Sequence, residues 1–260
     1  MTAAEMVSIH ALSLLFLLIC CIEMQIGCLA FTRNYKDMDI CPSCQSPRRD
    51  SNGKSRQFRY IPLKHRIRLM YANRSMVEIL HTYRATLRNI EQDQISDVWQ
   101  GEVMQSDCMR HLFEGNKDNE RAIALQFALD GVQVDALRSN EVWPLICLNL
   151  NLPPLLRFCE DNILPLGITP GPNDPVDIDS FISPMVDELQ QLSEGVQCYD
   201  AYIDETFTLR VYIVVCTGDT PAIAKLLSMK TSTAKHCCRF CHIKGKSYVI
   251  IIKTYMKVLT

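Results

Sequence analysis

The chain has 260 residues, of which 48% are hydrophobic and 22% are charged. This composition allows one large or two small domains and excludes wholesale disorder. With 10 Gly and 12 Pro, collagen-like and low-complexity sequences are excluded as well.

The formal net charge of -2 is unevenly distributed along the chain. Residues 33–88 hold 13 Lys and Arg against 4 Asp and Glu, residues 89–219 hold 6 against 23, and residues 220–260 hold 8 against none. A basic arm, an acidic body and a basic tail suggest a nucleic-acid partner.

An uncharged stretch spans residues 6–22, between Glu5 and Glu23. A secretory signal needs a basic residue ahead of its apolar core, and the first Lys or Arg is Arg33. The stretch is borderline in length for a membrane span, and a spanning segment would leave the basic flank on the cytoplasmic side. We therefore treat residues 1–32 as one apolar N-terminal segment, which could be a buried helix, a membrane anchor, a signal peptide or a mis-assigned reading frame.

Residues 33–120 are interpreted as a basic region with a cysteine pair and a helix. Residues 33–60 are polar, and Pro42 and Pro47 favour a loop. Residues 63–90 carry apolar side chains at helical spacing with Arg and Lys on the other face. Residues 91–120 are polar and are predicted to be irregular.

From residue 121 the apolar residues change period, and strands mixed with helices predict an α/β or α+β fold. Strands are expected at 122–129, ending in a turn at Asp130-Gly131, at 142–148, at 163–168 and at 207–216. Pro144 places the second of these near a sheet edge or a strand start. One helix is expected to be capped by Asp179 or Ser180 and to end at Gly195, and another to occupy 220–227.

Asp130 and Asp219 each follow an apolar strand directly. Functional groups of α/β folds collect at such strand ends. Two carboxylates at adjacent strand ends repel each other, and a hard divalent cation such as magnesium removes that repulsion. Two such ions could activate water or a 3′-hydroxyl and cleave a phosphodiester. The structural alternative is that Asp130 starts a turn and Asp219 caps the following helix.

Thirteen cysteines are a high count for this length, and their odd number prevents complete pairing within the chain. Cys41 and Cys44, and likewise Cys238 and Cys241, have the C-x-x-C spacing that suits tetrahedral zinc, although each pair is only half a site. Unligated thiols are the alternative, and a redox role is less favoured because no thioredoxin-like βαβ pattern surrounds either pair. Further ligands for the second pair could be His236, Cys237 and His242.

A basic stretch precedes and enters the predicted helix. Guanidinium groups suit phosphates and aromatic rings suit base stacking, so this composition indicates DNA or RNA binding, with a solvated helix face as the alternative. Its basic residues are Arg48, Arg49, Lys54, Arg56, Arg59, Lys64, Arg66 and Arg68, and its aromatic residues are Phe58, Tyr60 and Tyr71.

The order of the motifs carries more information than any single motif. In chain order they begin Phe58-Arg59-Tyr60-Ile61-Pro62-Leu63, Leu129-Asp130-Gly131, Trp143-Pro144-Leu145 and Asn151-Leu152-Pro153-Pro154. They continue with Ile168-Thr169-Pro170-Gly171-Pro172-Asn173-Asp174-Pro175, Glu188-Leu189-Gln190-Gln191-Leu192, Phe207-Thr208-Leu209-Arg210, Gly218-Asp219-Thr220-Pro221-Ala222 and Cys238-Arg239-Phe240-Cys241-His242-Ile243-Lys244-Gly245. Over residues 38–246 this ordered set resembles transposases of the CACTA (En/Spm) superfamily, particularly fungal members.

The resemblance implies an RNase H-like DDE/D core, magnesium-dependent cleavage and joining of transposon DNA, and action in the nucleus. By position in the motifs, Asp130 would be the first catalytic acid and Asp219 the second. Cys238 and Cys241 would belong to a zinc-type insertion, and Cys41 and Cys44 to the cysteine pair that precedes the core. On this basis residues 121–235 form a partial RNase H-like core, and residues 236–260 form a C-x-x-C segment with an irregular tail.

The sequence also departs from the family pattern. No Asp or Glu follows Asp219, so the third acid of a DDE/D triad is missing, and the pattern is lost after Gly245. We therefore expect a truncated, transposase-derived protein with impaired strand transfer, an exposed sheet edge and a capacity for self-association. The alternatives are a non-catalytic zinc and nucleic-acid-binding module, or a protein anchored in a membrane through residues 6–22.

Overall fold

The computed structural model describes residues 20–25, 27–87, 95–134, 141–169, 171, 174–230 and 244. The strands are β1 (Cys20–Gln25), β2 (Leu29–Ala30), β3 (Arg56–Tyr60), β4 (Ile123–Leu129), β5 (Val132–Gln133), β6 (Glu141–Asn149), β7 (Leu164–Thr169), β8 (Val196–Asp200), β9 (Glu205–Leu209) and β10 (Val211–Thr217). The helices are α1 (Leu63–Ala72), α2 (Arg74–Leu87), α3 (Asp107–Phe113), α4 (Lys117–Glu120), α5 (Pro154–Arg157), α6 (Ile178–Glu194) and α7 (Thr220–Leu226). Short 3-10 helices lie at Arg33–Tyr35, Val98–Gln100 and Glu160–Asn162.

A mixed central sheet, in the order β7-β6-β4-β10, organises the fold. The pairs β4–β6 and β6–β7 are antiparallel, whereas β10 runs parallel to β4. Parallel neighbours need a long crossover connection, and here α6 and the hairpin β8–β9 lie between β7 and β10 in the chain. Among the described strands, β10 pairs with β4 alone, so its outer edge has no described partner. The expected α/β content is confirmed.

Strand β4 is covered on both faces, which explains its continuous apolar sequence. On one face Leu125 and Phe127 join the main core with Phe181 of α6. On the other face Ala124 packs in a second cluster with Trp99 and Phe113. The rings of Trp99 and Phe113 meet edge to face at 5.2 Å, and Trp99 Nε1 donates to the Leu150 carbonyl oxygen at 2.8 Å. The polar region 91–120 was predicted to be irregular. Its described part contains short helices, which these contacts hold against the sheet.

Several predicted elements are confirmed with different boundaries. The helix expected over 63–90 is two helices, because Asn73 has an extended backbone between α1 and α2. The strand expected at 207–216 is divided at Arg210 into β9, which pairs with β8, and β10, which joins the central sheet. Helix α6 starts earlier than predicted, since Asp177 is its N-cap and accepts from the Ser180 N–H. Its predicted end at Gly195, with a φ of 113°, is confirmed.

One expectation about β4 and β6 is confirmed in part and another is wrong. Of the two positions expected for Pro144, a sheet edge or a strand start, the structure has the second, because Pro144 lies near the start of β6 and β6 is flanked by β4 and β7. The chain does not reverse at Asp130-Gly131, because Leu129 pairs with Leu145 and Val132 with Val142, so β5 keeps the register of β4. Pro144 has no N–H to donate, and it lies where β6 passes from pairing with β4 to pairing with β5.

The N-terminal part of the described chain is a small antiparallel sheet in the order β2-β1-β3. Residues 20–22 of the apolar stretch 6–22 lie in β1, so the buried-helix interpretation does not hold for them. Residues 1–19 lie outside the described part of the chain. No helix among the described residues is both long and apolar enough to cross a membrane. The small sheet meets the central one where the Ile61 N–H donates to the Leu166 carbonyl oxygen at 2.8 Å.

Glu188 of α6 joins the N-terminal sheet, α1 and the core. Its carboxylate accepts from the Leu63 N–H at 2.8 Å and the Lys64 N–H at 2.7 Å, and also from the Tyr60 hydroxyl. It therefore caps α1, whose N-cap residue Pro62 has no capping side chain of its own. Burial and the nearby Glu188 carboxylate raise the pKa of Tyr60 far above its ordinary value, so this phenol stays a donor.

We expect Glu188→Ala to lower the free energy of unfolding by about 1–3 kcal/mol, because two helix N–H groups and a buried phenol lose their charged acceptor. Urea denaturation followed by circular dichroism measures the change. Glu194→Ala is the matched control, since Glu194 is exposed at the end of the same helix. Equal effects of the two variants would refute the capping role.

Candidate functional site

The structure brings Asp130 and Asp219 to the same edge of the central sheet. Thr217 of β10 lies opposite Ala128 of β4 in the parallel pair, so continuing this register by two residues sets Asp219 against Asp130. The backbones are close here, since a Cβ placed on Gly218 would lie 2.4 Å from the Leu129 carbonyl oxygen. Both aspartates are exposed. Two carboxylates at the carboxyl ends of neighbouring strands, open to solvent, can act as ligands for a hard cation.

Each of these carboxylates also has a local backbone contact. Asp130 Oδ1 accepts from the Gly131 N–H at 2.8 Å. Asp219 is the N-cap of α7, and its Oδ1 accepts from the Ala222 N–H at 2.8 Å. The structure therefore confirms the alternative in which Asp219 caps the following helix. In both residues the contacts within the described chain use Oδ1 and orient the carboxylate, and Oδ2 has no described partner.

The same edge carries a cation and an aromatic ring that the sequence analysis did not propose as site residues. Lys225 of α7 forms an ion pair with Asp174 at 2.6 Å and donates to the Pro175 carbonyl oxygen at 3.2 Å. Its Nζ lies 5.7 Å from the ring centroid of Trp143. Trp143 is only 4% exposed, and its indole Nε1 has no hydrogen-bond partner within the described residues. An unpaired buried donor of this kind is uncommon and calls for an explanation.

Cys41 and Cys44 lie together, and the structure adds Cys28 to them. The Sγ atoms of the three residues all lie within 4.8 Å of one another. Cys28 and Cys41 are buried and Cys44 is exposed, and all three are free thiols. Burial, together with a hydrogen bond to Cys44, raises the pKa of Cys28 to about 12. Hydrogen bonding to Ser46 lowers the pKa of Cys44 to about 7, so this thiol ionises more easily than that of Cys28.

Cys238 and Cys241, with the candidate ligands around them, lie outside the described residues. Their predicted zinc role therefore stays a prediction.

The basic stretch is exposed only in part, and its aromatic residues are not available for base stacking. Phe58, Tyr60 and Tyr71 are at most 3% exposed, because they belong to the main core. Arg48 and Arg49 both form ion pairs with Glu23, so their positive charges are partly neutralised within the protein. Arg66 is half-buried, and it donates to the carbonyl oxygens of Ile61 and Pro62. On β3, α1 and the loop before β3, the basic residues that are exposed and form no ion pair within the described chain are Lys54, Arg56, Arg59 and Arg68.

Residues 100–258 match the model of the transposase family tnp2, which is more than half of the chain. The chain belongs to the transposase family tnp2. A comparison with curated proteins finds no match. The matched range includes Asp130, Asp219 and the pair Cys238 and Cys241. It also continues past Gly245, the end of the last motif in the ordered set, and it does not include Cys41 and Cys44. Transposases act on DNA, so membership of the family indicates DNA as the general class of partner.

Sequence reasoning missed Cys28 in the cysteine cluster, and Trp143 and Lys225 beside the acids. Cys28 has no C-x-x-C partner, so nothing in its spacing distinguishes it from a buried thiol. Lys225 could have been noticed as the cation in the first turns after Asp219, on the helix that the sequence predicts.

Gly218→Ala is expected to destabilise the protein by about 1–3 kcal/mol, because the added methyl group would meet the Leu129 backbone and force the ends of β4 and β10 apart. The free energy of unfolding in urea measures this. Gly101→Ala serves as the comparison, since its methyl group meets only the Val98 carbonyl oxygen at 3.2 Å. A variant as stable as wild type would show that the two strand ends are not held this closely.

Proposed function

We propose that this chain is a transposase-derived protein of the fungal CACTA (En/Spm) type, with an RNase H-like core that binds divalent metal at Asp130 and Asp219. The single observation that supports the proposal most is the parallel register of β4 and β10, which sets the two aspartates against each other at one sheet edge. The strand order β7-β6-β4-β10 fits the core that the motif resemblance implies. The family match includes both acids.

In this proposal the magnesium ions, when bound, supply Lewis-acid activation of water or a 3′-hydroxyl and stabilise the leaving oxygen of a phosphodiester. The chain itself holds the ligands in place. The Gly131 and Ala222 N–H groups fix Oδ1 of Asp130 and Asp219, so the second oxygen of each carboxylate is oriented before a metal arrives. This preorganisation lowers the cost of assembling two like charges at one edge.

The metal chemistry is proposed to be incomplete in this chain. A DDE/D centre uses three acids, and no Asp or Glu follows Asp219 in the sequence. We therefore propose that the chain alone binds metal and DNA but transfers strands poorly or not at all. Its action on transposon ends, and its place in the nucleus, are part of the same proposal through the family.

Asp130→Asn and Asp219→Asn are each expected to weaken Mn²⁺ binding at least tenfold, because each removes one anionic ligand. Titration followed by the electron paramagnetic resonance of free Mn²⁺ measures the affinity. Asp161→Asn is the matched control, since Asp161 is an exposed aspartate next to the start of β7, at the opposite sheet edge. The proposal fails if both variants bind Mn²⁺ like wild type, or if the control loses as much affinity.

A second candidate function, a non-catalytic nucleic-acid-binding module, is favoured by the helix-cap role of Asp219. Supercoiled plasmid separates the two candidates. Magnesium-dependent nicking that disappears in both aspartate variants would support the nuclease, whereas DNA binding that is unchanged in them and produces no nicks would support the module.

DNA binding is expected to depend on the exposed basic residues and to fall steeply with salt. Arg59→Gln should weaken binding to every DNA sequence about equally and reduce the slope of log K against log salt by roughly 1, the change expected for one lost phosphate contact. Fluorescence anisotropy with an unrelated duplex measures both quantities. Arg110→Gln, an exposed arginine of α3 inside the acidic body, should leave them unchanged. If both variants behave alike, the basic arm is not the DNA-binding surface.

A further inference from the structure

The three thiols of Cys28, Cys41 and Cys44 are spaced as a metal site requires. Their Sγ atoms lie within 4.8 Å of one another, and all three are free cysteines. A tetrahedral zinc ion with Zn–S bonds of about 2.3 Å holds its sulphur ligands about 3.8 Å apart. The Sγ–Sγ separations, at most 4.8 Å, need only a small decrease to reach that geometry. Bonded sulphurs in a disulfide are about 2.05 Å apart, and a disulfide would leave the third thiol without a partner.

The local backbone is built to bring Cys41 and Cys44 together. The Cys41 N–H donates to the Ser46 carbonyl oxygen at 2.9 Å, and the Cys41 carbonyl oxygen accepts from the Gln45 N–H at 2.9 Å. Gln45 has a φ of 59°, a left-handed conformation that a glutamine seldom adopts. This tight turn brings Cys44 back beside Cys41. A strained backbone such as that of Gln45 persists only where the surrounding structure holds it.

Cys28 reaches the pair from a different segment, the turn between β1 and β2. Its carbonyl oxygen accepts from the Asp177 N–H at 3.0 Å, at the start of α6. The Ala30 N–H, just after it, donates to Ser180 Oγ at 2.9 Å. The turn is thus fixed to the body of the protein, and the loop 41–46 packs beside it through Cys41. The apolar cluster that could attach it is small, with Leu29 and Phe31 as its largest buried members.

We propose that Cys28, Cys41 and Cys44 form a three-thiolate site for a zinc-class ion, which attaches the loop 41–46 to the β1–β2 turn and the start of α6. Soft thiolate ligands select zinc over magnesium, so this site is chemically distinct from the carboxylate edge at Asp130 and Asp219. Cys44 is exposed, so a solvent molecule completes the tetrahedron from that side. The alternative is three free thiols, of which the buried Cys28 and Cys41 act as small apolar side chains.

The test is zinc stoichiometry of the full-length chain, purified under reducing conditions and measured by inductively coupled plasma mass spectrometry. Because Cys238 and Cys241 are a separate zinc prediction, the informative quantity is the difference between variants. Cys28→Ala and Cys44→Ala should each lose one equivalent of zinc that wild type holds. The controls are Cys198→Ala, matched to Cys28 in burial, and Cys108→Ala, matched to Cys44 in exposure, and both should keep it.

Cobalt substitution gives an independent readout. Wild type loaded with Co²⁺ should show the intense visible and thiolate charge-transfer absorption of a tetrahedral thiolate site. Cys44→Ala should lose the contribution of one Co²⁺ equivalent to that absorption, whereas Cys108→Ala should keep it. Since Cys44 is exposed, this variant tests the site even if Cys28→Ala does not fold. Unchanged zinc content in Cys44→Ala, or a disulfide between two of the three cysteines under reducing conditions, would overturn the proposal.

Discussion

The parallel pairing of β4 with β10 is the constraint on which the candidate site depends. Asp130 and Asp219 are far apart in sequence, and only adjacent parallel strands that end at one edge can bring them together. The pairing needs a crossover, which the segment with α6 and the β8–β9 hairpin supplies. It also needs a residue without a side chain at Gly218, where the backbone passes the Leu129 carbonyl oxygen. A change in either feature would alter the distance between the carboxylates without touching them.

Helix α6 connects this edge with the N-terminal sheet and the cysteine cluster. Its first turn holds the β1–β2 turn through Asp177 and Ser180. Further along, Glu188 caps α1 and binds Tyr60 of β3. Its buried face packs in the core through Phe181 and Met185. Two motifs that sequence order places in separate groups, one around Tyr60 and one around Glu188, are therefore the two halves of one contact.

The sequence predicted what depends on local periodicity. Strands β4, β6 and β7 and helices α1 and α6 follow from apolar spacing, and helix α7 follows from a proline in its first turn. The positions of Asp130 and Asp219 directly after β4 and β10 follow from the apolar runs before them. What failed depends on tertiary packing. The aromatic ring of Tyr71 looks suited to base stacking in a basic sequence but lies in the core. Arg210 divides a continuous β-branched run because its two halves pair with different strands. Cys28 joins the cysteine pair only through the fold.

The charge distribution limits how DNA can approach the acidic body. Two of its arginines are used internally: Arg121, 6% exposed, contacts Glu205 at 2.7 Å and Asp118 at 3.1 Å, and Arg157 contacts the buried Asp97 at 2.8 Å. These pairs leave the two guanidinium groups unavailable to phosphates. In the proposed function, phosphate contacts are therefore assigned to the exposed arginines of the basic arm. The proposed divalent cation at the carboxylate edge would neutralise the two acids and so reduce their repulsion of DNA.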